Sequence, residues 1–391
     1  MTPFWKLSAA GFAATAITFG PARMGFGLFL PEFRSAFGMT TGTAGLVSGL
    51  GFLGWLLGLL AAYAMTARFG PRRPVLFGLL AATAGMGLVA VAPGLPVLSA
   101  GIFLAMMSAG FSWSPFNNAV HSQVPDAARP AALSIVSTGT SLGVAAAGAI
   151  ALGLGLSGVS WRIAWVVFAT GGLLAALGNI AALRDVAGRP GSAANRPWGF
   201  LLRRAALPLY GVALSFGTTS GIFIAFAADR VEQAGGLPGI APGTSPSIVF
   251  IGYGMLGLIG LATGRLKTMA GLAGLLRLLM LGSVLSLGLV ALMPNSWAGV
   301  IASAGLQGAF VMMMSAILAF WSERLFPELP ALSFTVALFA AAVGNVLGPA
   351  VAGFVADAFG AGPMFLAAAA VSLGTAAAIR TRVVTERPIP G

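Results

Sequence analysis

Long apolar runs dominate the chain and recur at intervals that match a lipid bilayer. Most runs hold about 20 residues, the length that an α-helix needs to cross a hydrocarbon core of about 30 Å. Polar residues cluster between the runs, and no stretch alternates in the manner of a β-barrel strand. The pattern predicts an all-α membrane protein with twelve spans, numbered in chain order: 7–31, 43–66, 74–92, 96–121, 131–157, 162–183, 204–228, 246–265, 271–293, 297–321, 331–356 and 362–380.

Composition and charge support this topology. Of the 391 residues, 58% are hydrophobic and only 8% are charged, whereas soluble domains carry about 25% charged residues. Seventeen of the 21 Lys and Arg residues fall on one side of the predicted membrane, Arg34, Arg162 and Arg230 fall on the other, and Arg23 lies inside span 1. Basic loops favour the cytoplasmic side, so we expect both termini in the cytoplasm. The bias toward Arg over Lys and toward Ala and Gly suggests a bacterial source, and we therefore expect the protein in the inner membrane.

The net charge of +12 therefore reflects the many Lys and Arg residues on the cytoplasmic side of the membrane. It does not indicate a nucleic-acid-binding surface, and we expect no nucleic-acid partner. The sequence has no cysteine, which excludes disulfides and thiolate metal sites. We expect no metal and no cofactor, no catalytic residue, and a monomer in the lipid bilayer.

The longest polar interruption divides the chain into two halves of six spans. It is rich in Gly, Pro and Arg and predicts a cytoplasmic linker, 184–204, between an N-terminal bundle, 1–183, and a C-terminal bundle, 205–391. Gly139, Gly143 and Gly148 of span 5 recur 205 residues later in span 11, listed in order as Gly344, Gly348 and Gly353. Glycines at this spacing are also common wherever membrane helices pack closely, but their recurrence in the fifth span of each half favours an internal repeat.

The chain resembles the major facilitator superfamily, whose members have twelve helices in two six-helix bundles around a central cavity. The resemblance includes a loop motif between spans 2 and 3, matched here by Arg68, Gly70, Arg72 and Arg73. Ala67 stands where the family usually has Asp, which removes a charged contact that stabilises the outward-open form in that family. The stretch GPARMGFGLFLP also resembles span 1 of a bacterial branch of the superfamily, the YbfB/YjiJ-like group.

In this family spans 3, 6, 9 and 12 face lipid, and the polar residues follow that rule. Span 4 carries a helical stripe that includes Trp113, Asn117 and His121. Amides are costly in hydrocarbon, so we expect this face to line the cavity. The predicted substrate-binding residues are Arg23, Ser112, Trp113, Asn117, Thr218, Gln307 and Asn345.

Arg23 is the most informative of these residues, and Gly20 and Pro21 just before it should loosen span 1. A guanidinium facing lipid at this depth costs at least about 2.5 kcal/mol, and no Asp or Glu occurs in the inner part of any span. We interpret Arg23 as the binding group for an anionic substrate, since its planar fork suits a carboxylate. It could instead bind carbonyls freed by Pro21, reach Asn or Gln across the cavity, or extend outward to Glu32 or Asp229.

The residues therefore predict a secondary active or facilitative transporter of a small organic anion. Span 7 has no basic residue away from its ends that would match Arg23, which favours a monocarboxylate over a phosphate ester. His121, Asp229 and Glu232 are the candidates for coupling to protons or for gating. Alternatives are a promiscuous exporter of drugs or hydrophobic compounds in the same superfamily and a membrane sensor that transports nothing. A membrane enzyme is disfavoured because the lone His121 has no acid cluster near it.

Overall fold

The computed structural model describes residues 2–184, 186, 201, 203–380, 383, 384 and 386. Most of the predicted linker 184–204 lies outside the described residues. The spans, in order, are Pro3–Phe19 with Pro21–Leu28, Thr41–Phe69, Arg72–Val91, Leu95–Gly110 with Trp113–Gln123, Arg129–Leu156, Trp161–Ala182, Leu207–Gln233, Ser245–Gly257, Thr263–Leu292, Trp297–Leu325, Pro330–Phe359 and Ala361–Ala378. A short helix, Leu30–Phe37, lies beyond the end of span 1.

Ten of the described helical stretches are long and apolar enough to cross a membrane. Span 1 is not among them because it is broken into helices of 17 and 8 residues. Spans 8 and 9 count once, because a 3₁₀ helix, Leu258–Ala262, joins them into one stretch of 48 residues. Gly271, with a positive φ of 68°, interrupts that stretch at the residue where the sequence predicts span 9 to begin. The prediction of an all-α protein with twelve spans is confirmed.

The repeated glycines of span 5 make two kinds of contact. At Gly139 and Gly143 a methyl group would meet span 1, at Phe12 and Ala16. At Gly148 it would instead meet Ser247 of span 8, in the other half of the chain. Span 5 therefore packs on the first span of its own half and touches the second span of the opposite half.

Span 11 repeats this arrangement. Gly344 and Gly348 pack against Thr218 of span 7, the first span of the second half. Gly353 packs against Thr41 in span 2, the second span of the first half. The glycines of span 5 and those of span 11 thus make equivalent contacts, as expected for an internal repeat. Small residues at these positions let the helix backbones approach closely.

Burial differs strongly among the spans. The apolar windows of spans 6 and 12 are 39% and 33% buried, whereas that of span 7 is 83% buried. The large apolar side chains exposed on spans 6 and 12 include Leu174, Leu177, Leu366 and Leu373. Spans 6 and 12 thus lie at the periphery of the bundle, in agreement with their predicted contact with lipid.

We call the two ends of the bundle inner and outer, following the charge prediction, with the termini at the inner end. The halves meet at the outer end along spans 2 and 11, spans 5 and 8, and spans 1 and 7. A methyl group on Gly27 of span 1 would overlap the carbonyl oxygen of Ile224 in span 7, and one on Gly45 of span 2 would overlap that of Pro349 in span 11. Only glycine permits this approach, so the outer end is closed.

Candidate functional site

A helix break positions Arg23. The first helix of span 1 ends at Gly20, and Pro21 begins the next helix, so Arg23 lies in the first turn of Pro21–Leu28. Proline suits this position because its missing N–H would have no partner in the first turn. The predicted loosening of span 1 at Gly20 is confirmed.

The Arg23 guanidinium is buried among aromatic rings. Only 9% of the residue is exposed, and its Cζ atom lies 4.3 Å from the centroid of Trp55, 5.6 Å from that of Phe52 and 5.5 Å from that of Phe19. Desolvated cation–π contacts contribute about 2 kcal/mol. Ring faces hold the cation in place but leave the N–H groups at its edge available for a hydrogen-bond acceptor.

No described residue accepts a hydrogen bond from Arg23 or forms an ion pair with it. The Nε atom is buried without any partner. Asp229, one of the acids that Arg23 could have reached, is instead bound by Arg34. Among the described residues the guanidinium is therefore stabilised by aromatic rings alone. We call Arg23 and these rings, Phe19, Phe52 and Trp55, the Arg23 cluster.

The break in span 4 lies next to this cluster. The helix stops at Gly110 and restarts at Trp113, and a methyl group on Gly110 would meet the backbone of Trp55 and Leu59 in span 2. Ser112 is buried within the break and donates a hydrogen bond to the carbonyl of Ser108. The break in span 4 therefore lies beside Trp55, whose ring contacts the Arg23 guanidinium.

Two more predicted binding residues of span 4 lie toward the inner end. Trp113 and Asn117 are half-buried, and the Oδ1 atom of Asn117 has no hydrogen-bond partner among the described residues. His121, one helical turn further, is exposed, and its backbone carbonyl accepts a hydrogen bond from Arg129. The proposed coupling role of His121 stays a prediction.

The predicted residues of the second half form two separate groups. Thr218 packs on Gly344 and Gly348, and Asn345 lies against Gly221, so both belong to the contact between spans 7 and 11. Gln307 of span 10 is fully buried, and neither end of its amide has a partner among the described residues. The role of these residues in binding stays a prediction.

The outer end carries charged contacts between the halves. Arg34, in the short helix after span 1, donates one hydrogen bond of 2.9 Å to Asp229 of span 7 and one of 3.0 Å to the Thr41 hydroxyl. Gln233 also donates to Asp229, at 2.6 Å. Asp229, predicted as a coupling or gating residue, thus lies where opening of the outer end would separate it from Arg34.

A second contact of this kind involves Asp357, which the sequence analysis missed. Its carboxylate, at the outer end of span 11, accepts hydrogen bonds from the backbone N–H groups of Thr41 and Gly42, at 2.9 and 2.8 Å. These N–H groups begin span 2 and have no partner within the helix, and a negative charge is favourable at that end. An acid of one half therefore caps a helix of the other half. We call Arg34, Thr41, Asp229 and Asp357 the outer gate.

Two more acids lie close to the outer gate. Glu232 accepts a hydrogen bond of 2.9 Å from the backbone N–H of Gly243, within its own half. Glu32, beyond the end of span 1, has a buried carboxyl oxygen with no partner among the described residues. Burial raises the pKa of Glu32 to about 7, and the nearby negative charges of Glu232 and Asp229 act in the same direction.

The loop motif forms the turn between spans 2 and 3. Span 2 ends at Gly70, which has a φ of 74°, and only glycine adopts this conformation readily. The guanidinium groups of Arg68 and Arg73 lie over the ring of Phe69, at 5.3 and 4.7 Å from its centroid. The roles of these residues and of Arg72 in transport stay predictions.

Comparisons with known proteins agree with this architecture. A nucleoside transporter, NupG, shares 12% identity and a TM-score of 0.79, over 98% of this chain and 100% of that one. A bacterial homolog of the human lysosomal transporter Spinster, in an inward-facing and occupied conformation, shares 17% identity and a TM-score of 0.79, over 100% of both chains. At these identities the likeness shows the fold alone.

A search of curated protein sequences gave no match. The family model that matches is that of the Major Facilitator Superfamily, which aligns with residues 11–285, more than half of the chain. The matched region includes the Arg23 cluster, the loop motif and the helix that carries Asp229, and the branch within the family stays a prediction. The chain is a multi-pass membrane transporter that belongs to the major facilitator superfamily.

Proposed function

We propose that this transporter moves a small, singly charged organic anion across the cytoplasmic membrane by alternating access, with Arg23 as the group that binds the anion. The moving units in this proposal are the two six-span halves, 1–183 and 205–391, joined by the linker 184–204. The termini lie in the cytoplasm and the protein functions as a monomer.

The observation that carries the proposal is the buried guanidinium of Arg23, which has no acidic partner among the described residues. A buried cation lacking a counter-charge is costly, and ionisable groups inside membrane spans usually serve a function. The contacts with Trp55, Phe52 and Phe19 offset only part of this cost. A carboxylate brought in by the substrate supplies the charge and the acceptors that no described residue supplies.

The charge count supports a singly charged substrate. Within spans 1 and 7, the first spans of the two halves, Arg23 is the one basic residue away from the helix ends, because Arg204 and Arg230 flank the membrane part of span 7. A doubly charged phosphate ester would leave one negative charge unpaired. The substrates named for the structural neighbours do not enter this argument, since identities of 12% and 17% do not extend to the binding site.

Coupling to protons is a separate part of the proposal. The described spans hold no carboxyl group at the depth of Arg23, whereas Glu32, Asp229 and Glu232 meet at the outer end. A protonated acid or an exchange of anions needs no titratable group beside the substrate. In this scheme Glu32, Asp229 and Glu232 affect transport by changing the stability of the closed outer gate.

The test is a thermal-shift measurement on the purified protein with benzoate, phenylacetate and hexanoate, each compared with its neutral amide. A ligand that binds the folded state raises its stability. We expect stabilisation of the unmodified protein by one or more acids and by none of the amides, and none by chloride alone. Stabilisation that persists in both Arg23→Gln and Arg23→Lys, or stabilisation by amides as strong as that by acids, overturns the proposal.

A further inference from the structure

Tyr253 of span 8 has a buried hydroxyl group with no hydrogen-bond partner. The residue is 1% exposed, and its oxygen is unpaired among the described residues. Leaving a buried polar group unpaired destabilises the folded state. A phenylalanine at this position would avoid this cost. The hydroxyl group therefore indicates a hydrogen-bond partner that a bound ligand supplies.

A contact between spans 1 and 8 places Tyr253 on the face of span 8 that meets the Arg23 face of span 1. A methyl group on Gly27, one turn after Arg23, would lie 3.3 Å from the ring of Phe250, and Phe250 lies one turn before Tyr253. The same faces of spans 1 and 8 therefore meet across the two halves. The Tyr253 hydroxyl is also close enough to the Arg23 guanidinium for the two groups to interact electrostatically.

The surroundings of the pair are apolar. The Tyr253 ring stacks on Phe223 of span 7, with centroids 6.2 Å apart, and lies 6.5 Å from Phe250. On the other side Trp55 and Phe52 cover the Arg23 guanidinium. Both polar groups can donate hydrogen bonds, and the contacts around them are aromatic. Such a set of groups suits one carboxylate attached to an apolar body.

We propose that Tyr253 donates a hydrogen bond to the same substrate carboxylate that Arg23 binds, so that one anion contacts both halves of the transporter. The substrate class is then an aryl or alkyl monocarboxylate. A ligand held by one donor from each half binds best when spans 1 and 8 are close together, and it therefore favours the state in which the outer end is closed. This inference rests on the proposed function of Arg23.

The test compares the binding of benzoate, phenylacetate and hexanoate by Tyr253→Phe, which removes only the hydroxyl, with binding by the unmodified protein. The matched control is Tyr63→Phe, because Tyr63 is partly exposed on span 2, far from this pair in the chain. A hydrogen bond to a charged group predicts affinity about tenfold lower or more for Tyr253→Phe. We expect Tyr63→Phe to bind as the unmodified protein does, and both variants to keep its thermal stability without ligand to within a few degrees.

The outcomes separate this inference from the proposed function. Affinity that falls in Arg23→Gln but is unchanged in Tyr253→Phe overturns the role of Tyr253 and leaves that of Arg23. Affinity unchanged in both variants, or no binding of any of the three acids to the unmodified protein, overturns both. If Tyr253→Phe weakens the acids and their amides equally, the hydroxyl does not recognise the carboxylate, and the inference fails.

Discussion

The carboxylate of Asp229 and the guanidinium of Arg34 form an ion pair with a 2.9 Å contact that joins span 7 to the end of span 1. The side chain of Asp229 is 5% exposed and that of Arg34 is 26% exposed, so the pair is screened less than one on an open surface. Because its partners belong to different halves, opening the outer end breaks it. The pair therefore stabilises the closed state of the outer gate relative to the open one.

We predict that Arg34→Gln and Asp229→Asn each shift the transporter toward the state open at the outer end. An interaction energy of about 1 kcal/mol corresponds to a roughly fivefold change in population. A convenient reporter is Ala350→Cys in span 11, whose methyl group faces Gly49 of span 2, since the chain has no native cysteine. The measurement is the rate at which a membrane-impermeant maleimide labels this cysteine, and the double variant separates the pair from its other contacts. Effects that simply add in the double variant would show that the two residues do not interact.

Asp357→Asn is expected to weaken the cap on span 2. Asparagine keeps one acceptor oxygen for the two N–H groups of Thr41 and Gly42, which bind separate oxygens of the carboxylate, and it loses the charge that favours the start of a helix. Because Asp357 is exposed, the expected effect is modest, a few-fold faster labelling of the same reporter, and it should shrink as salt is raised. Asp126→Asn, at an exposed position in the inner loop between spans 4 and 5, is the matched control. Equal labelling rates in the two variants would show that Asp357 does not stabilise the closed outer gate.

Gly27→Ala is predicted to prevent full closure of the outer end. The added methyl group would overlap the Ile224 carbonyl oxygen, and overpacking of this kind costs about 1–3 kcal/mol. This penalty applies only to the closed state. The rate at which maleimide labels the Ala350→Cys reporter should therefore rise strongly while transport falls. Gly153→Ala serves as the control, because a methyl group at that helical position in span 5 meets nothing within 4 Å. Normal transport by Gly27→Ala would show that the close approach of spans 1 and 7 is dispensable.

The closed state should depend on pH through Glu32. Its pKa of about 7 exceeds the ordinary value of 4.5 because burial disfavours the charged carboxylate. If opening hydrates Glu32 and lowers this pKa, the closed state binds more protons between pH 4.5 and 7. Stabilisation of the closed state is then fully present below about pH 4.5 and is lost as the pH rises through about 7.

Labelling of the Ala350→Cys reporter should accordingly accelerate between pH 5 and pH 8, after correction for the reactivity of the thiol. Glu232 and Asp229 are the charged groups that act on the pKa of Glu32, and they stay unchanged in this test together with Arg34, which binds Asp229. Glu32→Gln should abolish the dependence, whereas Glu323→Gln, at the inner end, should retain it. A pH dependence that survives in Glu32→Gln would assign it to another group.

The sequence predicts the twelve spans, the repeat and the loosening of span 1, because each depends on local composition or on spacing along the chain. Gly20 and Pro21 lie next to each other, and the glycine triplets keep their spacing in both halves. Arg23 could be identified because a charge in an apolar run is conspicuous. The partners of these groups could not be predicted, since they come from residues far apart in the chain.

Asp357 illustrates this limit. It is 315 residues from Gly42, and only the packing of Gly353 on span 2 brings the two together. Trp55 and Tyr253 were missed for a related reason, because aromatic residues are common in apolar spans and nothing local distinguishes those that surround a cation. For Thr218 and Asn345, polarity predicted a cavity face, whereas the structure places both residues against glycines of the spans 7 and 11 contact.

The most direct test of the account is the uptake of labelled benzoate, phenylacetate and hexanoate into proteoliposomes at pH 8, with the leak into protein-free vesicles subtracted. We expect saturable uptake of at least one acid by the unmodified protein, and none by Arg23→Gln. In Arg23→Lys, which keeps the charge but not the fork, uptake should be reduced. Saturable uptake by Arg23→Gln at the rate of the unmodified protein would contradict the claim that Arg23 binds the transported anion.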